Sequence, residues 1–296
     1  IQSHVLYELA LVLVLLGAFT KSAQFPFHFW LLHAMAAPTP VRAYLHSATM
    51  VKAGIFLLAR FYPALAGTDT WFLLVGLTGL TTLLFGAYIA LFKHDLKGLL
   101  AYSTISHLGL ITLLLGLDTQ LATVAAIFHI INHATFKASL FMATGIIDHE
   151  TGTRDMRKLN GMWRYLPYTA TLAMVAAAAM AGVPLLNGFL SKEMFFAETL
   201  HQQVLGSMSW LIPVLATVAG ALSVAYSSRF IHDVFFNGEP IDLPRTPHEA
   251  PRYMRVPIEI LVVLCILVGI FPHFVVDGIL SAASLAVLGQ AMPEYK

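Results

Sequence analysis

Stretches of about 20 apolar residues recur along the whole chain, and they constrain its fold more than any other feature. A helix of that length crosses the hydrocarbon core of a bilayer. The stretches lie at about 4–23, 41–63, 71–92, 97–117, 121–147, 167–198, 208–235 and 256–276. The pattern predicts an all-α integral membrane protein with about eight transmembrane helices.

Composition supports a membrane protein and excludes several other classes. The 296 residues are 58% hydrophobic and 11% charged, with a mean hydropathy of +0.75, whereas soluble domains are roughly 25% charged. The net charge of +1 gives no sign of nucleic-acid binding. The single cysteine, Cys265, excludes an internal disulfide framework and a cysteine-built metal site. We expect no cofactor, no metal and no nucleic-acid partner.

The chain reads as one membrane domain over residues 1–296, because no Ser/Gly linker or low-complexity stretch divides it. Its longest polar segment, 236–255, is predicted to be a cytoplasmic loop between the last two spans. The chain begins at Ile1 directly before an apolar span and stops at Lys296 after the last one. We therefore expect both ends to be cuts through a longer polypeptide.

Basic residues predict how the helices are oriented. Of the 17 Lys and Arg residues, 11 fall in or beside alternate connections, whereas the intervening connections hold only Arg60. The 11 are Arg42, Lys93, Lys97, Arg154, Arg157, Lys158, Arg164, Arg229, Arg245, Arg252 and Arg255. The positive-inside rule places that side in the cytoplasm.

Four lysines, Lys21, Lys52, Lys137 and Lys192, interrupt stretches that otherwise read as membrane-spanning helix. Each charge at the bilayer centre costs roughly 2.5–3.5 kcal/mol, so such residues usually face a wet interior and handle ions. Desolvation destabilises a charged lysine and favours loss of its proton, which suits proton transfer. The alternative is a lysine near a helix end whose amine extends to the interface.

His129, His133 and Lys137 recur every four residues in the fifth span. Each step of four advances about 40° around a helix, so the three side chains form one stripe. A stripe of lysine and histidine can pass protons. Two alternatives stay open: a hydrogen-bonded interhelical histidine pair without a transport role, and a metal site with His-x3-His spacing. No cysteine or acidic ligand accompanies the metal pattern.

Other polar residues accompany these spans. In the second span, His46 and Lys52 lie about 240° apart and do not share a helix face. Lys97 begins the fourth span and is followed there by Ser103, Thr104, Ser106 and His107. This hydroxyl-rich helix either hydrates an interior channel or bonds its own i−4 carbonyls.

Two helices are expected to be broken. Inside the sixth span, seven consecutive positions contain Gly182, Pro184 and Gly188. After the first span, Pro26 follows Lys21. Proline removes a backbone donor, and broken helices are tolerated at membrane depth where they line a cavity. In transporters such breaks mark ion sites. Two breaks, each beside a lysine, predict two related half-units.

Several motifs resemble a known family of membrane proteins. They are KSAQFPFHFWL at 21–31, AAPTPV at 36–41, HSATMVKAG at 46–54, DLKGLLAYSTIS at 95–106, NHATFKA at 132–138 and GFLSKE at 188–193. In this order they resemble the proton-pumping antiporter-like subunits of respiratory complex I and of Mrp-type multisubunit Na⁺/H⁺ antiporters. The sequences of residues 128–137 and 148–155 are most similar to the large A subunit of the Mrp antiporter.

The resemblance implies that this chain corresponds to helices 7–14 of an inverted-repeat antiporter fold. It implies a multi-pass subunit in a bacterial plasma membrane, with other membrane subunits as partners and Na⁺ and H⁺ as the transported ions. Together with the patterns above, it predicts an ion pathway through Lys21, His28, His46, Lys52, Lys97, His107, His129, His133, Lys137 and Lys192. The family's glutamate that pairs with the first lysine belongs to a helix before this segment.

Two other functions stay open. The chain could be the antiporter-like arm of an NADH–quinone oxidoreductase or a related hydrogenase. It has no cysteine cluster and no Gly-x-Gly-x-x-Gly, so the redox chemistry would lie in other subunits. Alternatively, it could be a structural subunit whose polar residues only hold helices together.

Overall fold

The computed structural model describes residues 2–34, 49–202 and 205–289, and these residues are almost entirely helical. Their only extended pairing is a single bridge between Asp95 and Asp155. The α-helices are α1 (Tyr7–Lys21), α2 (Phe29–His33), α3 (Ala53–Leu65), α4 (Asp69–Phe92), α5 (Leu96–Gly116), α6 (Gln120–Thr151), α7 (Met156–Leu159), α8 (Pro167–Ala181), α9 (Asn187–His201), α10 (Leu211–Ile231), α11 (Arg252–Ile270), α12 (Pro272–Val275) and α13 (Asp277–Leu288). Helix α4 contains a π-helical turn at Phe72–Gly76.

Five described helices are long and apolar enough to cross a membrane. They are Asp69–Phe92, Leu96–Gly116, Gln120–Thr151, Gly206–Phe236 and Arg252–Ile270. They match the predicted third, fourth, fifth, seventh and eighth spans, and they confirm a multi-pass helical membrane protein. The first predicted span is the 15-residue α1, the second begins within 35–48, outside the described residues, and the sixth is divided in two. The count of eight stays a prediction.

Helix α5 lies at the centre of the protein, because each of its 21 residues is buried. It begins at Asp95, whose carboxylate caps the helix by accepting a hydrogen bond from Gly98 N at 2.8 Å. Helices α4 and α5 approach closely at glycines: a Cβ on Gly79 or Gly109 would overlap the backbone of the other helix. Small residues permit this backbone approach in membrane helices.

The predicted sixth span is broken, as its glycines and proline indicate. Helix α8 ends at Ala181, Gly182 adopts a left-handed conformation with φ 90°, and α9 begins at Asn187. Gly188 packs against the carbonyl of Ala179, where no side chain fits. The two half-helices therefore stay in contact across the break.

The basic connections lie together at one end of the helices. Leu96 N donates to Arg154 O at 3.0 Å, and the Arg229 guanidinium donates to Lys93 O at 2.9 Å. The loop that precedes α11 returns to the same end, where Arg245 N donates to Thr151 O at 3.2 Å. Predicted loop 236–255 is shorter in the structure, because Gly206–Phe236 and Arg252–Ile270 extend into it. Of the 11 basic residues, Arg42 lies outside the described residues.

Candidate functional site

His129, His133 and Lys137 are all buried on α6, where the four-residue spacing predicted a single stripe. The ring of His129 lies against α5, and its Nε2 is 3.0 Å from Nδ1 of His107. The ring of His133 is centred 5.4 Å from that of His107. The predicted stripe thus becomes a buried cluster of three histidines, to which the neighbouring helix α5 contributes His107.

Lys137 extends the cluster along the same two helices. Its amine donates to the hydroxyl of Ser103 and to Leu100 O at 3.3 Å, both on α5. Its side chain is fully buried. A buried amine needs such hydrogen bonds, because burial removes it from bulk water.

Lys192 depends on the break between α8 and α9. Its amine donates to the carbonyls of Met180 at 2.8 Å and Ala181 at 3.0 Å, which are the last carbonyls of α8. Those carbonyls lack helical donors and carry the negative end of the helix dipole. The break therefore leaves carbonyl oxygens at the end of α8 that accept hydrogen bonds from the Lys192 amine.

Lys52 lies on a 3₁₀ turn, Met50–Lys52, immediately before α3. Its buried amine donates to Ile130 O of α6 at 3.0 Å. Within the described residues, Lys52, Lys137 and Lys192 form no salt bridge with a carboxylate. Their partners are neutral carbonyl and hydroxyl oxygens.

Three residues that the sequence did not single out complete the site. Ser223 and Tyr226 of α10 lie between Lys192 and His107, and Ser191 of α9 lies 2.9 Å from His129 Nδ1. The Ser223 and Tyr226 hydroxyls are i, i+3 neighbours, which is the only signal that the sequence offers for them. Hydroxyls in apolar helices more often bond their own backbone, so that signal is weak.

Lys97 has a different partner from the other predicted lysines. Its buried amine forms a salt bridge with Asp148 near the end of α6. Asp148 also lines a polar cleft of about 550 Å³ at the basic end. In that cleft, the hydrogen-bonded side chain of Arg157 lowers the pKa of Asp155 to about 2.

The remaining predicted residues lie away from the cluster or outside the described residues. Lys21 is exposed at the end of α1. His28 lies in the connection to α2, with its ring 4.6 Å from that of Phe85 on α4. His46 falls outside the described residues. The structure therefore buries six predicted residues in or beside the lysine and histidine cluster: Lys52, His107, His129, His133, Lys137 and Lys192.

Three hydroxyls of α5 bond carbonyls of their own helix. Thr104 and Thr112 donate to their own i−4 carbonyls, Leu100 O and Leu108 O, at 2.8 and 2.9 Å. Ser103 also donates within the helix, to Leu100 O at 2.9 Å, and in addition accepts from Lys137. A single hydroxyl of this helix thus joins the lysine and histidine cluster directly.

The histidine cluster does not have the form of a metal centre. In the described parts of the chain, no three His, Cys, Asp or Glu side chains are placed to hold a metal ion. Both ring nitrogens of His133 are buried and lack a protein hydrogen-bond partner there. Buried polar atoms of this kind usually bond to ordered water.

Comparison with known proteins identifies a related family and similar relatives. A family model described as "NADH:quinone oxidoreductase/Mrp antiporter, TM" matches residues 2–223. The chain is 66% identical over 295 residues to the A/B subunit of a probable K(+)/H(+) antiporter of Rhizobium meliloti, covering all of this chain and 30% of that protein. It is 48% identical over 300 residues to the A subunit of the Na(+)/H(+) antiporter of Bacillus subtilis, covering 96% of this chain and 38% of that protein.

Two solved structures share the fold. A chain in the Mrp complex from Dietzia sp. DQ12-45-1b matches with a TM-score of 0.85 and 44% identity, covering 96% of this chain and 30% of that one. A chain in the membrane-bound sulfane sulfur reductase, an archaeal respiratory membrane complex, matches with a TM-score of 0.81 and 27% identity. That match covers 93% of this chain and 55% of the other. The chain spans about a third of the curated relatives.

Proposed function

Because this chain belongs to the NADH:quinone oxidoreductase/Mrp antiporter transmembrane family, we propose that it carries part of the ion pathway of a monovalent cation/proton antiporter. The observation that carries the proposal is the buried cluster of lysines and histidines between apolar helices. A membrane protein retains such costly residues where they serve ion movement. The function is transport rather than catalysis of a chemical reaction.

In this proposal, protons move among Lys52, Lys137, Lys192 and the histidines of α5 and α6. Each lysine amine binds neutral oxygens, so it can release a proton without leaving an unpaired carboxylate behind. A change in the charge of one lysine alters the electrostatic potential at the others, because interactions are weakly screened in a low-dielectric interior. That charge switch couples proton movement to the cation or to a neighbouring subunit.

Lys97 and Asp148 give the proposed pathway an opening toward the basic end. Positions 137 and 148 are separated by 11 residues of α6, which is about 16 Å along the helix axis. Asp148 lines the polar cleft and also contacts the buried Lys97. Protons would reach the central cluster from this cleft. The positive-inside rule makes this end cytoplasmic.

The proposal extends to the architecture. The chain forms a single domain over 1–296 within the plasma membrane of a bacterium, with the polar loop between Phe236 and Arg252 in the cytoplasm. The ends of α1 and α8, beside Lys21 and Lys192, represent the broken helices of two inverted half-units. Lys21, His28 and His46 belong to the first half, and other membrane subunits of the complex supply the rest of the pathway.

The transported cation is Na⁺ or K⁺, the ions in the names of the two relatives. The test uses inverted membrane vesicles from cells that express the full-length gene with its neighbouring subunit genes. Pulses of Na⁺ and of K⁺ are applied across an imposed pH gradient, without a respiratory substrate. The proposal predicts proton movement in response to at least one cation, and none in vesicles that lack the complex.

The alternative is the antiporter-like arm of a respiratory complex, favoured by the likeness to the archaeal respiratory membrane complex. It predicts cation-dependent proton movement only while NADH or another electron donor is oxidised. Exchange that requires electron transfer would contradict a stand-alone antiporter. Exchange that persists without an electron donor, and in the presence of respiratory inhibitors, would support it.

A further inference from the structure

We propose that Tyr226 is the residue that passes protons between Lys192 and the His107–His129 pair. This inference rests on the proposed transport function and deepens it. Tyr226 is fully buried on α10, away from the lysine and histidine motifs of the sequence. Its hydroxyl lies between the two parts of the site.

The hydrogen bonds form an unbroken series through four helices. Lys192 Nζ donates to Ser223 Oγ at 2.9 Å, and that hydroxyl donates to Tyr226 OH at 3.1 Å. The tyrosine hydroxyl lies 3.3 Å from His107 Nε2. His107 Nδ1 then lies 3.0 Å from His129 Nε2. Each group in this series is buried, so bulk water does not compete for its hydrogen bonds.

The donors can all point in one direction. When His107 carries its proton on Nδ1, its Nε2 is free to accept from the Tyr226 hydroxyl, and Nδ1–H donates to His129 Nε2. His129 Nδ1–H then donates to Ser191 Oγ. With this alignment, one proton can shift along each hydrogen bond. Lys192 then loses a proton, and His107 gains the proton that Tyr226 carried.

The transfer step balances without any other reactant. A Lys192 N–H bond breaks as Ser223 gains a proton, and the original Ser223 proton passes to Tyr226. The original Tyr226 proton forms a new N–H bond at His107 Nε2. The ammonium becomes a neutral amine, the neutral imidazole becomes an imidazolium, and both hydroxyls end as they began.

Among the described side chains, Tyr226 completes the direct hydrogen-bonded connection from Lys192 and Ser223 to His107. In the described parts of the chain, the other hydrogen bonds of Lys192 go to backbone carbonyls, which cannot carry a proton onward. A small cavity lined by His107, Lys192, Ser223 and Tyr226 has room for about one water molecule. Phenylalanine differs from tyrosine only by the missing hydroxyl, so its ring can occupy the same place beside this cavity.

The test is Tyr226→Phe in the complete complex, which removes one hydroxyl and keeps the ring. We expect the maximal rate of cation-dependent proton exchange to fall at least about tenfold, since positioned proton-transfer groups contribute roughly 10²–10⁴-fold. The half-saturating cation concentration should stay unchanged, because Tyr226 transfers protons and does not bind the cation. Ser223→Ala should have a similar effect, and the double variant should be little worse than either, because both residues act in one path.

The matched control is Tyr7→Phe. Tyr7 is also buried, and its hydroxyl donates to Leu65 O at 2.6 Å, outside the series. Normal exchange in Tyr7→Phe with slow exchange in assembled Tyr226→Phe would support the relay. Equal exchange in both variants would overturn it, as would losses that add in the Tyr226 and Ser223 double variant. Absence of exchange in the unmodified complex would instead contradict the proposed function.

Discussion

The buried lysines of this protein are stabilised by oxygens of two kinds. Lys52, Lys137 and Lys192 bind neutral carbonyl or hydroxyl oxygens, whereas Lys97 binds the carboxylate of Asp148. A neutral partner allows an amine to lose its proton at little further cost. A carboxylate favours the charged amine, because deprotonation would leave an unpaired negative charge. The first kind suits proton transfer within the cluster, and the second holds a charge pair at the proposed entrance of the pathway.

Asp148→Asn should therefore destabilise the protein by removing the salt bridge of the buried Lys97 amine. Removal of one partner from a buried pair costs about 3–5 kcal/mol. We expect about 1–3 kcal/mol here, because the Asp148 side chain is 30% exposed and solvent screens the pair. The measurement is the thermal unfolding midpoint of the detergent-solubilised complex.

The double variant Lys97→Met with Asp148→Asn is the control for that prediction. It removes both charges and keeps the side-chain volumes similar, so most of the lost stability should return. A double variant as unstable as Asp148→Asn alone would show that the lost stability does not come from the loss of the Lys97–Asp148 salt bridge.

Residue spacing predicted part of this site. The four-residue recurrence of His129, His133 and Lys137 is a local property of one helix, so the sequence contains it. The contact between His107 and Tyr226 joins residues 119 positions apart and depends on how helices pack. Residue spacing does not predict a contact between distant helices. The sequence analysis therefore did not identify Tyr226 and Ser223.

At the scale of the helices, the break between α8 and α9 was predictable because its cause is local. Gly182, Pro184 and Gly188 each weaken a helix through their own backbone chemistry. The consequence of the break was not predictable. Lys192 turns back to the carbonyls at the end of α8, and that contact requires α9 to lie alongside α8.

Gly182→Ala tests whether this break positions Lys192. Gly182 has φ 90°, and a Cβ there would lie 2.9 Å from Cδ of Lys192. A left-handed conformation costs a non-glycine residue roughly 1–2 kcal/mol, and the methyl group would also displace the lysine. We expect a loss of exchange that exceeds the loss of assembled complex, measured in the same vesicles.

Gly238→Ala is the matched control, because Gly238 has φ 82° and no atom within 4 Å of its built Cβ. It carries similar backbone strain in the loop before α11, far from Lys192 in sequence. Equal exchange per assembled complex in the two variants would show that the position of Lys192 does not depend on Gly182.

At the scale of the whole molecule, alternating hydrophobic stretches and basic connections predicted the multi-pass architecture. The structure brings the connections at 93–95 and 152–155 together at one end, as that alternation requires. The sequence did not show how the loop before α11 folds back. There, Glu249 accepts a hydrogen bond from Tyr168 N at 2.8 Å and caps α8. Such caps join distant segments and depend on the tertiary fold.

We expect the buried lysine and histidine cluster to carry the protons through the membrane. The most direct measurement is cation-driven proton flux in proteoliposomes that contain the purified complex, with Lys137→Ala compared with Lys158→Ala. Lys137 is fully buried in the cluster, whereas Lys158 is exposed at the basic end. We predict that Lys137→Ala abolishes the flux while the complex still assembles, and that Lys158→Ala leaves it unchanged. Unchanged flux in assembled Lys137→Ala would contradict a proton pathway through this cluster.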